Sequence, residues 1–447
     1  MQHRLIVLIF SILACSQLFA QTNGNSPYSR YGIGDLVDDN FMHTRMMGSI
    51  GTSYIDPYHI NIVNPASYAS LRATAFDIGM DAKRSTLAND DNENTTWSGN
   101  LQYLSLAFPL GNPLNEILDQ KKREVKWGMA FTLMPNSQVG YNITTQDSIG
   151  GIGNLERLYA GEGGSYKFLW GNAVKYKDFS FGVNLGYLFG KIRYEQNVTC
   201  FDLPSAYQDF FSTEYSLNGF LFDLGALYTK VLNQKELENK TERNADVFSL
   251  GVRMKGASSF NTNLTRANFG VQQPGNNVQF VDTAFFARNI EGNGKLPVEF
   301  GFGASYYKGQ KYMIGVDYSM TNWSAYENDA DETVAENPLS NTYSVSFGGF
   351  YRPDYKSYNR YFKRVYYRYG AYYRTDPRNI DGEQIDAYGL TFGFGLPFIY
   401  QRKISHANLG FEFGKRGSGT PITESYFRIS LGFTFNDDEW FIKKKYN

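Results

Sequence analysis

The chain of 447 residues has only two cysteines, few prolines, almost no net charge and no long apolar run after its first 20 residues. If the first 20 residues are cleaved off, Cys15 goes with them and Cys200 is the one remaining thiol, so no internal disulfide can form. A membrane-spanning helix needs about 18 consecutive apolar residues. No such run follows the first 20 residues, so a helical membrane protein is excluded. The formal net charge of -1 supplies no basic field for nucleic-acid phosphates, so nucleic-acid binding is not expected.

What the chain has instead is aromatic residues and glycine. Tyrosine and phenylalanine number 34 and 35, and there are 44 glycines. Soluble enzymes seldom combine so many of these three residue types. The composition therefore points away from an ordinary soluble enzyme.

The first twenty residues have the three parts of a secretory signal peptide. Charged His3 and Arg4 precede an apolar stretch at 5–14, and the segment ends on small Ala20. We predict a signal peptide at 1–20 with the mature chain beginning at Gln21. A lipoprotein signal cut before Cys15 is the alternative, which would leave that cysteine lipidated.

Apolar residues then recur at every second position in many segments. Between 179 and 189 the apolar set is Phe179, Phe181, Val183, Leu185, Tyr187 and Phe189, and small or polar residues fill the positions between them. Period-two alternation indicates strands with two unlike faces. Aromatic residues near strand ends, such as Trp127 and Tyr400, are typical of the interfacial girdles of an outer-membrane barrel.

Counting these segments predicts an all-β fold, an antiparallel transmembrane β-barrel of about 14 strands at 72–436. The predicted strands begin near Arg72, Trp97, Val125, Gly163, Asp178, Phe210, Ala245, Leu296, Gln310, Asn341, Phe362, Gln384, Ser405 and Thr423. With both termini in the periplasm, every second link is periplasmic and should be a short turn, and the links between them are longer extracellular loops. The short links Lys177-Asp178 and 401–403 fall on the periplasmic side. The long polar loops 141–163, 256–296 and 320–341 fall on the extracellular side. Two charged links, 111–124 and 231–244, break this rule and are candidates for short helices.

Residues 21–71 lack alternation, and they contain motifs that resemble the hatch of the FadL-type (OMPP1/FadL/TodX) hydrophobic-compound transporters. The motifs are Asn64-Pro65-Ala66 and the stretch 45–51, which includes Arg45, Gly48 and Gly51. Leu296-Pro297 and the run Trp323-Ser324-Ala325-Tyr326 resemble the central hairpin of that family, whose barrel also has fourteen strands. The opening at 26–32 and a periplasmic tail at 437–447 depart from the transporter pattern and resemble a divergent branch of the family.

The resemblance implies a hatch at 21–71 inside the lumen and an apolar ligand that leaves sideways near a kinked third strand. In this chain the third strand contains Met134-Pro135-Asn136. Proline lacks an N–H for a sheet ladder, so it fits an edge, a bulge or a gap. Pro135 is therefore a candidate lateral opening, and the alternative is that it ends the membrane-embedded part of the strand.

Candidate residues for chemistry are few. His43, His59 and His406 follow the signal peptide without metal-ligand spacing, and no nucleophile motif is present, so we expect neither an enzyme nor a cofactor. Charged residues fall on predicted lumen positions, where pairing with each other or with a plug is the simplest role. These are Asp223, Arg253, Glu299, Asp317, Arg368, Glu412 and Arg428.

The leading hypothesis is passive transport of hydrophobic, fatty-acid-like small molecules by a barrel in the outer membrane of a Gram-negative bacterium, in contact with its lipid. One alternative is a non-transport subunit of an outer-membrane complex for secretion or assembly. A second is a porin-like channel. Binding of the ligand would involve the hatch motifs, whereas a subunit role would involve the charged periplasmic links and the tail.

Overall fold

The protein is described by a computed structural model. It covers residues 26–89, 92–111, 124–150, 153–200, 202, 207–234, 237, 245–272, 279–330, 338–380 and 382–438. The predicted signal peptide, most of the two charged links and the end of the predicted tail lie outside these residues. No helix in the described part of the chain is long and apolar enough to span a bilayer.

Fourteen antiparallel strands close into one barrel, which confirms the predicted fold class. Closure is complete because β14 pairs with β1 from Thr423 opposite Ala88 to Asp437 opposite Thr74. The strands are β1 Thr74–Ala88, β2 Glu93–Pro109, β3 Val125–Ile149, β4 Gly153–Tyr176, β5 Phe179–Cys200, β6 Gln208–Val231, β7 Asp246–Lys255 continued by Ser258–Gln272, β8 Gln279–Leu296 continued by Glu299–Lys308, β9 Tyr312–Thr321, β10 Thr342–Tyr351, β11 Tyr366–Ile380, β12 Glu383–Tyr400, β13 Lys403–Arg416 and β14 Thr423–Asp437.

Two neighbouring strands, β7 and β8, are interrupted at the same level. The breaks fall at Gly256 and at Pro297, and Pro297 has no N–H for the ladder. The 10-residue first stretch of β7 pairs with the second stretch of β8. About 9–11 tilted residues cross a bilayer, so the remaining stretches of both strands project beyond it.

The alternation seen in the sequence sorts side chains between lipid and lumen. Along β12, Leu390 and Phe392 are exposed on the outer surface, whereas Thr391 between them is fully buried. Phe181 on β5 and Phe220 on β6 are likewise exposed, at 63% and 78%. An apolar outer belt around a closed barrel is the arrangement of an integral outer-membrane protein.

Two of the three long loops that the sequence predicted are mostly strand, so these two predictions are wrong. Residues 141–163 lie mostly within β3 and β4, and residues 256–296 lie mostly within the projecting stretches of β7 and β8. Outside the bilayer a strand meets water on its outer face, so it needs no apolar alternation to remain a strand. The sequence pattern therefore ended where the lipid contact ends, not where the strands end.

A third long periplasmic connection was also missed. β10 ends at Tyr351 and β11 begins at Tyr366, so residues 352–365 form a loop that includes Phe362, where the sequence predicted the strand to begin.

Residues 26–71 run through the inside of the barrel. Their hydrogen-bond partners include Asn184 on β5, Asp317 on β9 and Thr391 on β12. Because these strands lie around the circumference, a segment that bonds to all of them must pass through the lumen. It contains a short helix, Met42–Arg45, and a 3₁₀ helix, Pro65–Ser70.

Candidate functional site

Asn64 fixes the end of the N-terminal segment to the barrel wall. Its side-chain nitrogen donates to the carbonyls of Thr52, Ala226 and Val252 at 2.7, 3.2 and 3.3 Å, and its side-chain oxygen caps the 3₁₀ helix by accepting from the N–H of Ala66. Asn64 and Ala66 are fully buried. Pro65 occupies the first position of this helix, where its missing N–H costs nothing.

Glycines of the wall make room for this contact. A Cβ atom on Gly182 of β5 would lie 2.4 Å from the Ala66 nitrogen, and one on Gly225 of β6 would lie 2.0 Å from the Asn64 side-chain oxygen. Both distances are far inside van der Waals contact. The wall therefore carries glycine at the two positions where the N-terminal segment packs against it.

Arg45, Gly48 and Gly51 contact other sectors of the wall. Arg45 lies 3.4 Å from Asp81 on β1. The N–H of Gly48 donates to Thr391 at 3.0 Å, and the N–H of Gly51 donates to Asp317 at 2.8 Å. Gly48 has φ of +73°, a conformation that favours glycine. The structure thus places all six hatch-motif residues in the lumen, in contacts that hold the segment.

Three aspartates in the same segment pair with bases on opposite sides of the lumen. We call residues 35–40 the acidic strap. Asp35 accepts from Arg378 at 2.8 Å and from Arg416 at 3.0 Å, on β11 and β13. Asp39 lies 2.5 Å from Lys167 on β4 and 2.9 Å from Lys255 on β7. The strap is therefore tied across the barrel by charge-assisted bonds.

The charges around the strap keep its carboxylates ionised. Burial alone would raise the pKa of Asp38, but the guanidinium groups of Arg45 and Arg374 outweigh burial and hold the pKa at about 2. For Asp35 burial is likewise outweighed, by Arg416 and Arg378, and its pKa lies far below its usual range. At neutral pH the strap is fully charged and fully paired.

The predicted lumen charges are part of the same arrangement. Arg253 pairs with Glu299 at 2.5 Å, and Arg428 pairs with Glu412 at 2.8 Å. Asp317 accepts from the segment at Gly51. These five charges meet each other or the N-terminal segment, as the sequence predicted. Asp223 instead accepts from Asn184, and Arg368 donates to Asn408.

Pairing between β2 and β3 covers only their periplasmic halves. It runs from Pro109 opposite Gly128 to Leu104 opposite Leu133 and then stops, while β3 continues alone beside β4. Met134, Pro135 and Asn136 follow immediately, and a β-bulge interrupts the β3–β4 register between Pro135 and Ser137. The structure thus places the three predicted opening residues where the wall parts.

The acidic strap occupies the edge that β2 leaves free. A two-residue strand, Asp35–Leu36, pairs with Gln138 and Ser137 of β3, and the N–H of Val37 donates to the Asn136 carbonyl at 3.0 Å. Leu36 is 40% exposed. One side-chain hydrogen bond, from Asn100 of β2 to Gln138 at 3.2 Å, spans the parted strands.

A cavity of about 400 Å³ adjoins the strap and the parted strands. Its lining mixes charge with apolar surface: Asp38, Asp39, Lys255 and Arg374 stand beside Val63, Leu221, Phe222 and Trp323. Toward the extracellular side lies an apolar cluster that includes Tyr141, Leu264 and Trp323, and toward the periplasm lies a second cluster that includes Met47, Tyr54 and Phe350. Such a cavity suits a molecule with an apolar body and a polar head.

The three histidines, two from the N-terminal segment and one from β13, come together near the periplasmic end. The ring centroids of His43 and His59 are 4.9 Å apart, those of His59 and His406 are 4.7 Å apart, and all three side chains are buried. His59 lies 3.2 Å from Asp56. Within the described ranges no group of three or more His, Cys, Asp or Glu is arranged to hold a metal ion.

Sequence reasoning missed the strap and the histidine cluster. Their partners on the barrel wall lie more than one hundred positions away along the chain, and local patterns do not reveal contacts of that range. The one available signal was the acidic cluster Asp35, Asp38 and Asp39 in a segment assigned to the lumen.

A family model described as BamG matches residues 1–447. No curated protein matches the sequence. Among solved structures, the toluene transporter TodX of Pseudomonas putida is 14% identical, with a TM-score of 0.52 over 91% of this chain and 100% of that one. A FadL homologue of Pseudomonas aeruginosa is 11% identical, with a TM-score of 0.54 over 90% and 99%. The toluene transporter TbuX of Ralstonia pickettii is 10% identical, with a TM-score of 0.51 over 91% and 99%. At these identities the likeness concerns the fold.

Proposed function

We propose that this chain, which belongs to the BamG family and has a FadL-type barrel, passes small amphipathic, fatty-acid-like molecules between the lumen and the outer leaflet of the membrane. The observation that carries this proposal is the parting of β2 and β3 beside the cavity. The acidic strap would act as the gate, because it pairs with the edge of β3 that β2 leaves free. The segment 26–71 would act as the hatch that the sequence predicted.

Three features support this reading. The parted strands give a route that avoids the apolar clusters at both ends of the lumen. The cavity lining offers both charge and apolar surface to one ligand. The solved barrels that share the fold include proteins described as toluene transporters.

A disulfide that holds the strap against β3 tests the gate. Leu36 and Ser137 are direct partners in register, and Cα atoms of such partners lie about 4.5–5.5 Å apart, within disulfide reach. In a Cys200→Ser background, Leu36→Cys with Ser137→Cys should abolish entry of a nitrobenzoxadiazole-labelled dodecanoate into cells that lack their own channel for it. Reduction should restore entry.

Thr86→Cys with Thr95→Cys is the matched control. These residues pair between β1 and β2 on the wall, far along the chain from the strap. The control disulfide should leave entry unchanged. Entry that is equal with and without the protein, or that persists in the oxidised strap variant, would remove the proposal.

A second candidate, a subunit of an outer-membrane protein complex, is favoured by apolar surface outside the bilayer. Phe285 and Phe286 are 50% and 51% exposed on the projecting stretch of β8, where lipid does not reach. Exposed apolar groups in water commonly mark protein contacts. The family description BamG points the same way.

Affinity purification in mild detergent separates the two candidates. A subunit should copurify with partners in fixed stoichiometry, and Phe285→Ser with Phe286→Ser should release them. Phe181→Ser with Phe220→Ser, which alters lipid-facing residues, is the control. A protein that purifies alone in all forms would remove the subunit role.

A further inference from the structure

The periplasmic loop between β10 and β11 combines five basic residues with one acidic residue. We call residues 352–364 the basic loop. The bases are Arg352, Lys356, Arg360, Lys363 and Arg364, and the acid is Asp354. Among the described residues, neither the cavity lining nor the ion-pair partners of the strap include a residue of this loop.

The loop is held in shape by its own contacts. The N–H of Asp354 donates to the Lys363 carbonyl at 2.8 Å and ties the two limbs together. The Asp354 carboxylate accepts from the N–H of Lys356 at 3.0 Å. Arg352 stacks 4.2 Å from the ring centre of Tyr366 and donates to Gln310 at 2.6 Å. The single acid and the first base are thus used to form the loop.

The other bases have no anion to meet. Lys356, Arg360, Lys363 and Arg364 form no ion pair with any residue in the described part of the chain. The Nε atom of Arg364 is shielded from solvent without a hydrogen-bond acceptor. Four unpaired positive charges on one ordered loop would bind anions strongly.

Aromatic rings accompany these charges, and they stand beside the lipid-facing belt. Tyr358 is 96% exposed and Phe362 is 73% exposed. The hydroxyl of Tyr367 donates to the Phe362 carbonyl at 3.0 Å. Tyr367 also packs against Phe394 of the outer surface, with ring centres 5.9 Å apart. The loop is therefore continuous with the surface that lipid already covers.

We propose that the basic loop binds anionic phospholipid headgroups of the periplasmic leaflet. Phe362 and Tyr358 lie at headgroup level, where aromatic rings are favourable. Lys356, Arg360 and Lys363 contact the phosphates, each contributing to attraction toward an anionic surface. The continuity with the lipid-facing belt favours a lipid over an acidic protein as the occupant.

Native mass spectrometry of the full chain in nanodiscs tests this. The nanodiscs hold equal amounts of phosphatidylglycerol and phosphatidylcholine, and the measurement is the ratio of the two lipids retained on the released protein. Wild type should favour phosphatidylglycerol, and Lys356→Gln, Arg360→Gln and Lys363→Gln together should reduce that preference by about tenfold. Phe362→Ser should reduce retention of both lipids.

A matched control removes three exposed lysines from other periplasmic turns. Lys177→Gln, Lys308→Gln and Lys311→Gln should keep the preference, and heat-modifiable gel mobility verifies that each barrel is folded. Equal retention of both lipids by wild type, or equal loss in both triple variants, would overturn the proposal. Binding of poly-glutamate in phosphatidylcholine nanodiscs that depends on the same three residues would overturn it in favour of an acidic protein.

Discussion

At the residue scale, the buried histidines give the N-terminal segment a dependence on pH. Burial lowers the pKa of His43 well below its usual 6.5, and the neighbouring His59 and Arg368 lower it further, while Asp56 opposes them. The docked segment thus requires neutral His43. As the pH falls below 6.5, the undocked segment gains a proton that the docked one refuses, so docking loses stability.

We expect amide hydrogen exchange at residues 42–49 to reveal this loss. Between about pH 7.5 and about pH 5.5, wild-type protection, corrected for intrinsic exchange, should fall by about tenfold or more. His406 of the wall is buried in the same cluster and would also be uncovered on undocking. The double variant His43→Leu with His406→Leu removes both imidazoles, so its protection should change little over the same range. Comparing each protein with itself cancels the packing defect of the variant. An equal fall in both proteins would assign the effect to another group.

Some of these residue roles could be predicted from sequence and others could not. The lumen side of Arg253, Glu299 and Arg428 follows from alternation, because polar side chains avoid lipid. The partners of Asp35 could not be predicted, because Arg378 and Arg416 lie 343 and 381 positions away. Such pairs depend on the curvature of the closed wall.

At the scale of elements, the acidic strap is a strand of two residues held by its flanking charges. Two backbone pairs cannot hold a strand in water by themselves, so Asp35, Asp38 and Asp39 must supply the rest. The pKa of Asp38 is about 2 against a usual value of 3.8. Its contribution to docking is complete above pH 3.8 and is lost as the pH falls toward 2.

Neutralising the strap should expose the edge of β3. Ser137 is almost fully buried beneath the strap. In a Cys200→Ser background, Ser137→Cys should therefore react slowly with a water-soluble maleimide. Asp35→Asn with Asp39→Asn should raise the labelling rate by about tenfold or more, since each lost charge-assisted bond costs about 1.5–3 kcal/mol.

Asp147→Asn is the control for this prediction. It removes one charge from the exposed pair with Arg157 at 2.5 Å, away from the strap. Its labelling rate should equal that of the parent. A strap variant that also labels at the parent rate would show that backbone pairing alone holds the strap.

The elements themselves were predictable where lipid dictates their pattern. β5 and β12 alternate throughout the bilayer, and their positions were read correctly. The projecting stretches of β7 and β8 carry polar residues on both faces, such as the neighbours Thr262 and Asn263 on β7. Nothing local distinguishes them from a polar loop, so their strand character depends on pairing with β6 and with each other.

At the scale of the whole molecule, the N-terminal segment occupies part of the lumen. A fourteen-stranded barrel encloses more space than its own side chains fill, and residues 26–71 occupy it together with the apolar clusters. The strand count could be predicted because each strand that crosses the membrane alternates apolar and polar residues in the sequence. The place of residues 26–71 in the lumen could be expected only from the resemblance to FadL-type barrels, since this segment has no periodic pattern of apolar residues.

Planar-bilayer recordings test this filling. The intact protein should give no steady conductance, because the segment and both apolar clusters block ions. Deletion of residues 26–71 should open a persistent channel, provided that heat-modifiable mobility shows a folded barrel. A steady conductance in the intact protein would favour the porin-like alternative.

The seam between β14 and β1 sets an order of events during biogenesis. The hydroxyl of Tyr28 donates to the Ile422 carbonyl, a contact between residues 394 positions apart. This contact of Tyr28 must therefore wait until the last hairpin is delivered, whereas other parts of the segment can already bond to earlier strands such as β3 and β5. Contacts of such long range form slowly. Closure of the barrel by β14 then encloses the N-terminal segment, and a chain that stops before β14 would hold that segment in a wall with an open edge.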